Sequence, residues 1–148
     1  MAMLPFCGYN MGDYFQHWLD MGRSIPHPPK IFHVNWFRRD ANGKFLWPGF
    51  GENARVLKWI LERVEGRGKA IETPIGFVPT VDALTLDGLN ISREAMEELL
   101  RVNPVDWARE TEETGAFFDK FGDRFPQELR DQHAALAQRL GITVKAAR

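Results

Sequence analysis

The sequence predicts an α+β fold, with a few short strands and a helix-rich second half. Two observations carry this prediction. Apolar residues recur at helical spacing in five separate stretches. Alternation typical of strands is confined to short runs that end at turn residues. At 148 residues the chain can bury a core, and we expect one domain over 1–148 with a frayed tail over 142–148.

The composition is that of an ordinary globular protein and excludes several classes. Hydrophobic residues make up 44% and charged residues 26% of the chain. The apolar stretches are much shorter than the roughly 20 residues of a membrane span. A net charge of −1 argues against a general nucleic-acid binder. Cys7 is the single cysteine, which excludes an internal disulfide and makes a reducing cytoplasm the default location.

A first helix is predicted directly after Asn10, whose side chain can cap it. The prolines at 26, 28 and 29 cannot continue a helix, so it should end before them. Its apolar residues at helical spacing are Met11, Tyr14, Phe15, Trp18 and Leu19.

An aromatic hairpin is predicted next. Ile31 to Phe37 alternates like a strand, and Trp36 lies on the same side as the apolar residues before it. Asn42-Gly43 is a hairpin turn signal, so Lys44 to Trp47 should return as a second strand. Five aromatic residues surround this turn: Trp36, Phe37, Phe45, Trp47 and Phe50.

The strongest helix is predicted from Asn53 to Val64 and should end at Gly66. Prolines bound Thr73 to Val78, which favours one edge strand or extended connection. Leu84, Leu86 and Leu89 then indicate a loop held against the core. The apolar face of the helix is predicted to comprise Val56, Leu57, Ile60, Leu61 and Val64.

The last third is predicted to be helical. Ser92 can cap one helix, Asn103-Pro104 opens a second toward Phe121, and Pro126 opens a third. The tryptophans of the helical stretches, Trp18, Trp59 and Trp107, are expected in the core.

Several runs of this sequence resemble the C-terminal portion of the GTP-dependent phosphoenolpyruvate carboxykinases. The resemblance extends from Ala2 to Leu140 and is densest over Pro29–Trp59, including Phe45-Leu46-Trp47-Pro48-Gly49-Phe50-Gly51-Glu52-Asn53. It implies the C-terminal lobe of an enzyme that converts oxaloacetate and GTP to phosphoenolpyruvate, GDP and carbon dioxide. It also implies a cytoplasmic role in gluconeogenesis, with Mn²⁺ in the site and Mg²⁺ on the nucleotide.

The resemblance assigns a guanine pocket to Trp36, Phe37, Phe45 and Phe50, with Asn53 contacting the edge of the base. An aromatic sandwich fits this role, because base stacking contributes about 1–3 kcal/mol per base. Selecting guanine over adenine also needs hydrogen bonds to the base edge. Trp36 is expected to support the pocket, since alternation turns it toward the core side.

Other parts of the family's site are absent from this sequence. No G-x-x-x-x-G-K-[ST] run occurs. The resemblance places the kinase loop, the Mn²⁺ ligands and the oxaloacetate-binding arginines earlier in the family's sequence. We therefore expect no catalytic and no metal-ligating residue in this chain. We expect it to be part of a larger enzyme, to need the missing N-terminal and kinase-loop portions, and to be inactive alone.

Two other classes of function stay open. The chain fits a stand-alone guanine-nucleotide-binding module, or a purely structural helical domain whose aromatic residues are all core. Asn53 fits a helix cap as well as base recognition. Arg38 and Arg39 fit a solvated hairpin charge better than phosphate attraction. We expect no nucleic-acid or membrane partner, while exposed apolar surface would favour self-association.

Overall fold

A computed structural model describes residues 4–142. They form helices and one two-stranded antiparallel sheet, so the predicted α+β class is confirmed. The chain divides into two compact units, residues 1–29 with 103–148, and residues 30–102. A single domain over 1–148 stays a prediction, and residues 143–148 of the predicted tail lie outside the described residues. The elements are α1 (Met11–Ser24), α2 (Asn53–Val64), β1 (Ala70–Thr73), β2 (Gly76–Pro79), α3 (Arg93–Leu100), α4 (Pro104–Asp119) and α5 (Gln127–Leu140).

The predicted helix starts of the first unit, residues 1–29 with 103–148, are confirmed. The Asn10 side chain accepts a hydrogen bond from the Gly12 N–H at 2.8 Å and caps α1. The Asn103 side chain accepts from the Val105 N–H at 3.0 Å and caps α4. Pro126 directly precedes α5. These caps satisfy N–H groups that the first turn of a helix leaves free.

The core of this unit is a phenylalanine cluster. Phe121 and Phe125 are buried together with Met11, and their neighbours supply further rings. Trp18 was expected in this core, and that expectation is wrong, because Trp18 is exposed. Phe15 is the α1 residue whose ring contacts both Phe121 and Phe125, so Trp18 falls outside that contact.

The core of the second unit, residues 30–102, is built around two indoles. Trp59 is buried, as predicted, and its N–H donates to the Lys69 carbonyl at 2.9 Å. Ser92 caps α3, as predicted, by accepting from the Ala95 N–H at 3.2 Å. Leu86 and Leu89 pack on this core, which confirms the predicted loop. The buried residues are Trp47, Trp59, Leu84 and Met96.

The bounds of α2 match the prediction, but only two of the five residues of its predicted apolar face pack on the core. Val56 and Ile60 pack on the core, whereas Leu57, Leu61 and Val64 are exposed. The reason is Trp59, whose buried indole turns the core-facing side of the helix toward positions 56, 59 and 60. The other side of the helix is left as an apolar stripe at the surface.

The single strand predicted from Thr73 to Val78 is wrong, because this stretch contains a turn. β1 and β2 form an antiparallel hairpin in which Thr73 pairs with Gly76. Pro74 and Ile75 form the turn, and the Thr73 hydroxyl donates to the Gly76 carbonyl at 2.6 Å. Gly76 has φ +113°, a conformation that favours glycine. Pro74 therefore starts a turn and does not mark the edge of one long strand.

Candidate functional site

The aromatic hairpin of the second unit is held by much less backbone pairing than predicted. Strands over Ile31–Phe37 and Lys44–Trp47 were expected, and both are wrong, because the pairing is a single antiparallel bridge between Arg39 and Phe45. In that register Pro48 would lie opposite Trp36. Proline has no N–H to donate to a ladder, so no ladder can continue through this pair into the arm before Trp36.

The predicted turn at Asn42-Gly43 is confirmed. The Asp40 carboxylate accepts hydrogen bonds from the N–H groups of Asn42 and Lys44, both at 2.9 Å. Gly43 has φ +78°, as a residue of a tight turn requires. The Leu46 N–H donates to the Arg38 carbonyl at 3.0 Å, which joins the two arms just beyond the bridge.

The predicted alternation of buried and exposed residues is present although no strand ladder forms along this segment. Phe32, Val34 and Trp36 are half-buried, while the residues between them are exposed. Trp36 packs on the core, with its ring centroid 6.4 Å from that of the buried Trp47. The segment therefore presents one side to the core and the other to solvent, and Phe37 lies on the solvent side.

Three phenylalanine rings at this hairpin are open to solvent. Phe37 is 70% exposed, Phe45 is 44% exposed and Phe50 is 91% exposed. Phe37 and Phe45 meet edge to face with centroids 6.1 Å apart, whereas no ring contact among residues 4–142 joins Phe50 to either of them. A base between two parallel rings needs planes roughly 7 Å apart, so a flat ligand must stack on an outer face of this pair.

Phe50 owes its exposure to the turn that precedes α2. Gly49 has φ +122°, which only glycine adopts readily, and the chain then enters the short 3-10 turn Phe50–Glu52. A flat apolar ring is thereby presented beside the first turn of a helix. Exposed apolar rings grouped in this way indicate a binding surface.

Asn53 does not cap α2, so that interpretation is wrong. Asn53 is the first helical residue, and Glu52 occupies the cap position. The Asn53 Oδ1 accepts a hydrogen bond from the Trp47 indole N–H at 2.9 Å. Because Trp47 is buried, this bond fixes the amide, and the Nδ2 group is the donor that Asn53 can offer to a ligand.

Arg39 is part of the aromatic surface. Its guanidinium carbon lies 3.9 Å from the centroid of the Phe45 ring, and its Nη1 donates to the Gly43 carbonyl at 2.6 Å. A guanidinium over a ring face is a favourable cation–π contact. Arg39 therefore covers one face of the Phe45 ring. A planar ligand can stack only on the part of the ring that remains exposed.

Arg38 is not the solvated hairpin charge that was expected. Its side chain is half-buried and donates three hydrogen bonds to the C-terminal end of α3. Among them is an ion pair with Glu98, whose pKa is lowered, first by a hydrogen bond from Arg101 and also by the charge of Arg38. Sequence reasoning missed this role because Arg38 and Glu98 lie 60 positions apart, with no local signal.

The residues that the structure describes offer no cluster of metal ligands. Between residues 4 and 142, no three or more His, Cys, Asp or Glu side chains come together in a way that could hold a metal ion. The described residues therefore do not fit the protein-bound Mn²⁺ that the resemblance implies. In the same range, no helix has the length and apolar character that crossing a bilayer requires.

A shallow groove of about 410 Å³ runs along the outer side of α2. The exposed Leu57 and Leu61 form its floor, and charged side chains form its rim. The groove shares no residue with the aromatic hairpin. Its lining residues are Ala54, Leu57, Lys58, Leu61, Glu62, Glu65 and Arg67.

Comparison with known proteins gives a consistent result over almost the whole chain. The family model of the phosphoenolpyruvate carboxykinase C-terminal P-loop domain matches residues 1–139. The chain is 50% identical to "Phosphoenolpyruvate carboxykinase [GTP]" of Anaeromyxobacter sp. (strain K), covering 100% of this chain and 24% of that protein. The protein of the same name from Renibacterium salmoninarum is 50% identical over 95% of this chain and 24% of its own length.

A third relative gives the same match. The "Phosphoenolpyruvate carboxykinase [GTP]" of Treponema pallidum subsp. pallidum is 49% identical over 99% of this chain and 24% of its own length. The chain thus spans about a quarter of the length of the curated relatives that it matches.

Proposed function

The chain belongs to the family of GTP-dependent phosphoenolpyruvate carboxykinases, and we propose that its aromatic hairpin is a guanine-base site. The observation that carries the proposal is the exposure of Phe37, Phe45 and Phe50 on the segment where the resemblance is densest. The parent activity that we propose is conversion of oxaloacetate and GTP to phosphoenolpyruvate, GDP and carbon dioxide. We place it in gluconeogenesis and in the cytoplasm.

In this proposal, stacking supplies affinity for the base, and a hydrogen bond to the base edge selects guanine. The exposed phenylalanine faces attract any purine, with about 1–3 kcal/mol per stacked base. The Asn53 Nδ2 group then donates to the guanine O6, while the Asn53 Oδ1 stays on Trp47. Adenine carries an amino donor at the equivalent position, so the same amide would face a second donor. Trp36 supports the site from the core side and does not contact the base.

No residue of this chain is assigned a catalytic role. Phosphoryl transfer needs phosphate-binding groups, positioned cations and metal ions. The sequence contains no G-x-x-x-x-G-K-[ST] run, and the described residues do not fit a metal. We propose that an N-terminal portion and a kinase loop provide these parts in the parent enzyme. We expect this 148-residue polypeptide to give no oxaloacetate- and GTP-dependent product by itself, and formation of that product would refute the expectation.

A stand-alone guanine-nucleotide-binding module remains the second candidate. It is supported by the fact that all five proposed site residues belong to the second unit, so the proposed base site needs no residue of the first unit. The third interpretation, in which every aromatic residue is core, conflicts with the exposure of Phe37 and Phe50.

Self-association is proposed for the apolar stripe of α2. Leu57, Leu61 and Val64 are exposed at the i, i+4 and i+7 spacing of a helix-packing seam. Sedimentation velocity should show dimers that are lost in Leu61→Glu. A concentration-independent monomer for the unmodified chain would contradict this proposal.

The base site is tested by titrating GDP and ADP against intrinsic tryptophan fluorescence. Trp47 should report binding because it contacts Asn53. We expect the response to be selective for GDP, because the Asn53 Nδ2 group donates to the guanine O6 in this proposal. Phe50→Ala should weaken GDP binding by about 5- to 150-fold, the equivalent of one stacking contact.

Phe77→Ala is the matched control for this titration. It removes an equally apolar, exposed ring of the same unit, but from β2 and outside the hairpin. GDP affinity should be unchanged in this variant. Equal responses to GDP and ADP, or equal losses in Phe50→Ala and Phe77→Ala, would refute the proposed site.

A further inference from the structure

Arg38 joins two parts of the second unit that are far apart in sequence. It belongs to the arm of the hairpin that carries Phe37, and its side chain reaches the end of α3. The Arg38 Nη1 donates to the Leu99 carbonyl at 3.2 Å and to the Arg101 carbonyl at 2.7 Å. The Nη2 donates to the Glu98 Oε1 at 3.0 Å.

The chemistry of these partners makes the contact specific for arginine. The last carbonyls of a helix have no partner within the helix and carry its negative dipole end, so a cation there is favourable. A planar guanidinium can serve two carbonyls and a carboxylate together, which the point charge of lysine cannot. With 22% and 35% of their side chains exposed, Arg38 and Glu98 are screened less than a surface pair.

This contact matters to the hairpin because little backbone pairing joins its two arms. Its backbone pairing is one bridge, between Arg39 and Phe45, with one hydrogen bond on each side. The Arg38 carbonyl accepts one of these two bonds, from the Leu46 N–H. Fixing Arg38 therefore fixes both arms, and with them the exposed rings of Phe37 and Phe45.

We propose that Arg38 is the positioning residue of the base site, holding the aromatic hairpin against the C-terminal end of α3. The proposal rests on the proposed function for its effect on nucleotide affinity. The part of the proposal in which Arg38 keeps the hairpin on α3 does not depend on any ligand. Arg38 contacts no base in this proposal and acts through Phe37 and Phe45.

The first measurement is amide hydrogen exchange of the complete chain without nucleotide. In Arg38→Ala, the Leu46 and Asp40 amides should exchange at least about tenfold faster, since their bonds hold the hairpin closed. The amides of α2 are the internal reference and should be unchanged. Arg93→Ala is the matched control, because the Arg93–Glu97 ion pair lies on the same helix but does not reach the hairpin.

The second measurement is GDP affinity at a temperature where every variant is fully folded. A purely structural role leaves affinity unchanged under that condition, whereas a positioning role weakens it. We expect Kd for GDP to rise about tenfold in Arg38→Ala, by less in Arg38→Lys, and not at all in Arg93→Ala.

The exchange rates and the GDP affinities together support or overturn the role of Arg38. Faster hairpin exchange together with weaker GDP binding supports it. Unchanged exchange at Leu46 in Arg38→Ala overturns it, and so does faster exchange with unchanged GDP affinity. If the unmodified chain does not bind GDP, the proposed function fails, and the exchange rates alone then decide whether Arg38 holds the hairpin.

Discussion

The two units of this chain use clustered phenylalanines in opposite ways. In the first unit, Phe121 and Phe125 are buried and stack with centroids 6.0 Å apart. In the second unit, Phe37, Phe45 and Phe50 are exposed, although buried indoles lie close to them in sequence. Burial, and not the grouping of aromatic residues along the chain, separates a hydrophobic core from a candidate binding surface.

The cause of the difference is local. The rings at 117, 118, 121 and 125 lie at helical and turn spacings that direct them to one side, where Phe15 of α1 closes the cluster. In the hairpin, alternation sends Trp36 inward and Phe37 outward. Gly49 then turns the chain so that Phe50 stands clear of the core. The same residue type is structural in one unit and available to a ligand in the other.

Replacing one ring of each unit by alanine should affect folding stability very differently. Phe125→Ala should lower the free energy of unfolding by about 3–5 kcal/mol, because it leaves a cavity among packed rings. Phe50→Ala should change it by less than about 0.5 kcal/mol, because that ring is already in water. Urea denaturation followed by circular dichroism measures both. Comparable losses in the two variants would show that the hairpin ring belongs to a core.

A smaller effect is expected at Asn53, and only on binding. Asn53→Asp keeps an oxygen to accept the Trp47 N–H but loses the amide donor proposed for the guanine O6. GDP affinity should fall by about 1–3 kcal/mol, while stability is retained because the first turn of a helix favours an acidic residue. Isothermal titration calorimetry measures the change.

The same substitution elsewhere provides the control for Asn53→Asp. Asn103→Asp changes the cap of α4, where the side-chain oxygen accepts from Val105, and should leave GDP affinity unchanged. Unaltered GDP affinity in Asn53→Asp would remove Asn53 from the site.

The smallest effect concerns acid stability of the second unit. In the folded chain the pKa of Glu98 lies below its ordinary value of 4.5, through hydrogen bonding to Arg101 and then the charge of Arg38. Ionised Glu98 therefore stabilises the fold above pH 4.5, and this contribution is lost as pH falls through the lowered pKa. The free energy of unfolding should decrease less steeply below that pH in Glu98→Gln. Identical slopes in urea melts from pH 3 to 6 would contradict this.

Local signals account for what the sequence predicted correctly. Asn10, Ser92 and Asn103 cap helices because each places a short polar side chain directly ahead of an apolar periodic run. The bounds of α2 follow from such a run and the glycine after it. The inward position of Trp36 follows from alternation alone.

The predictions that were wrong depended on residues far apart in sequence, or on which side chain takes a core position. A ladder along both full arms is prevented by Pro48, which would lie opposite Trp36 in a register that exists only once the hairpin closes. The outward turn of Leu57 and Leu61 depends on Trp59 taking the core position. The role of Arg38 depends on carbonyls that α3 exposes 61 and 63 positions later. No short stretch of the sequence contains both Arg38 and the carbonyls that it contacts.

The sharpest test of a guanine site at the aromatic hairpin is backbone chemical-shift mapping by NMR, because it reports both units of the unmodified chain in one titration. With GDP, we expect the largest shift changes at the backbone amides of Phe37, Phe45, Phe50 and Asn53, and none at those of Phe121 and Phe125. ADP at the same concentration should shift these signals much less, because adenine can stack on the rings but lacks the O6 acceptor for Asn53. Shifts centred on the phenylalanine cluster of the first unit, or equal shifts at the hairpin with ADP, would contradict a guanine site at the aromatic hairpin.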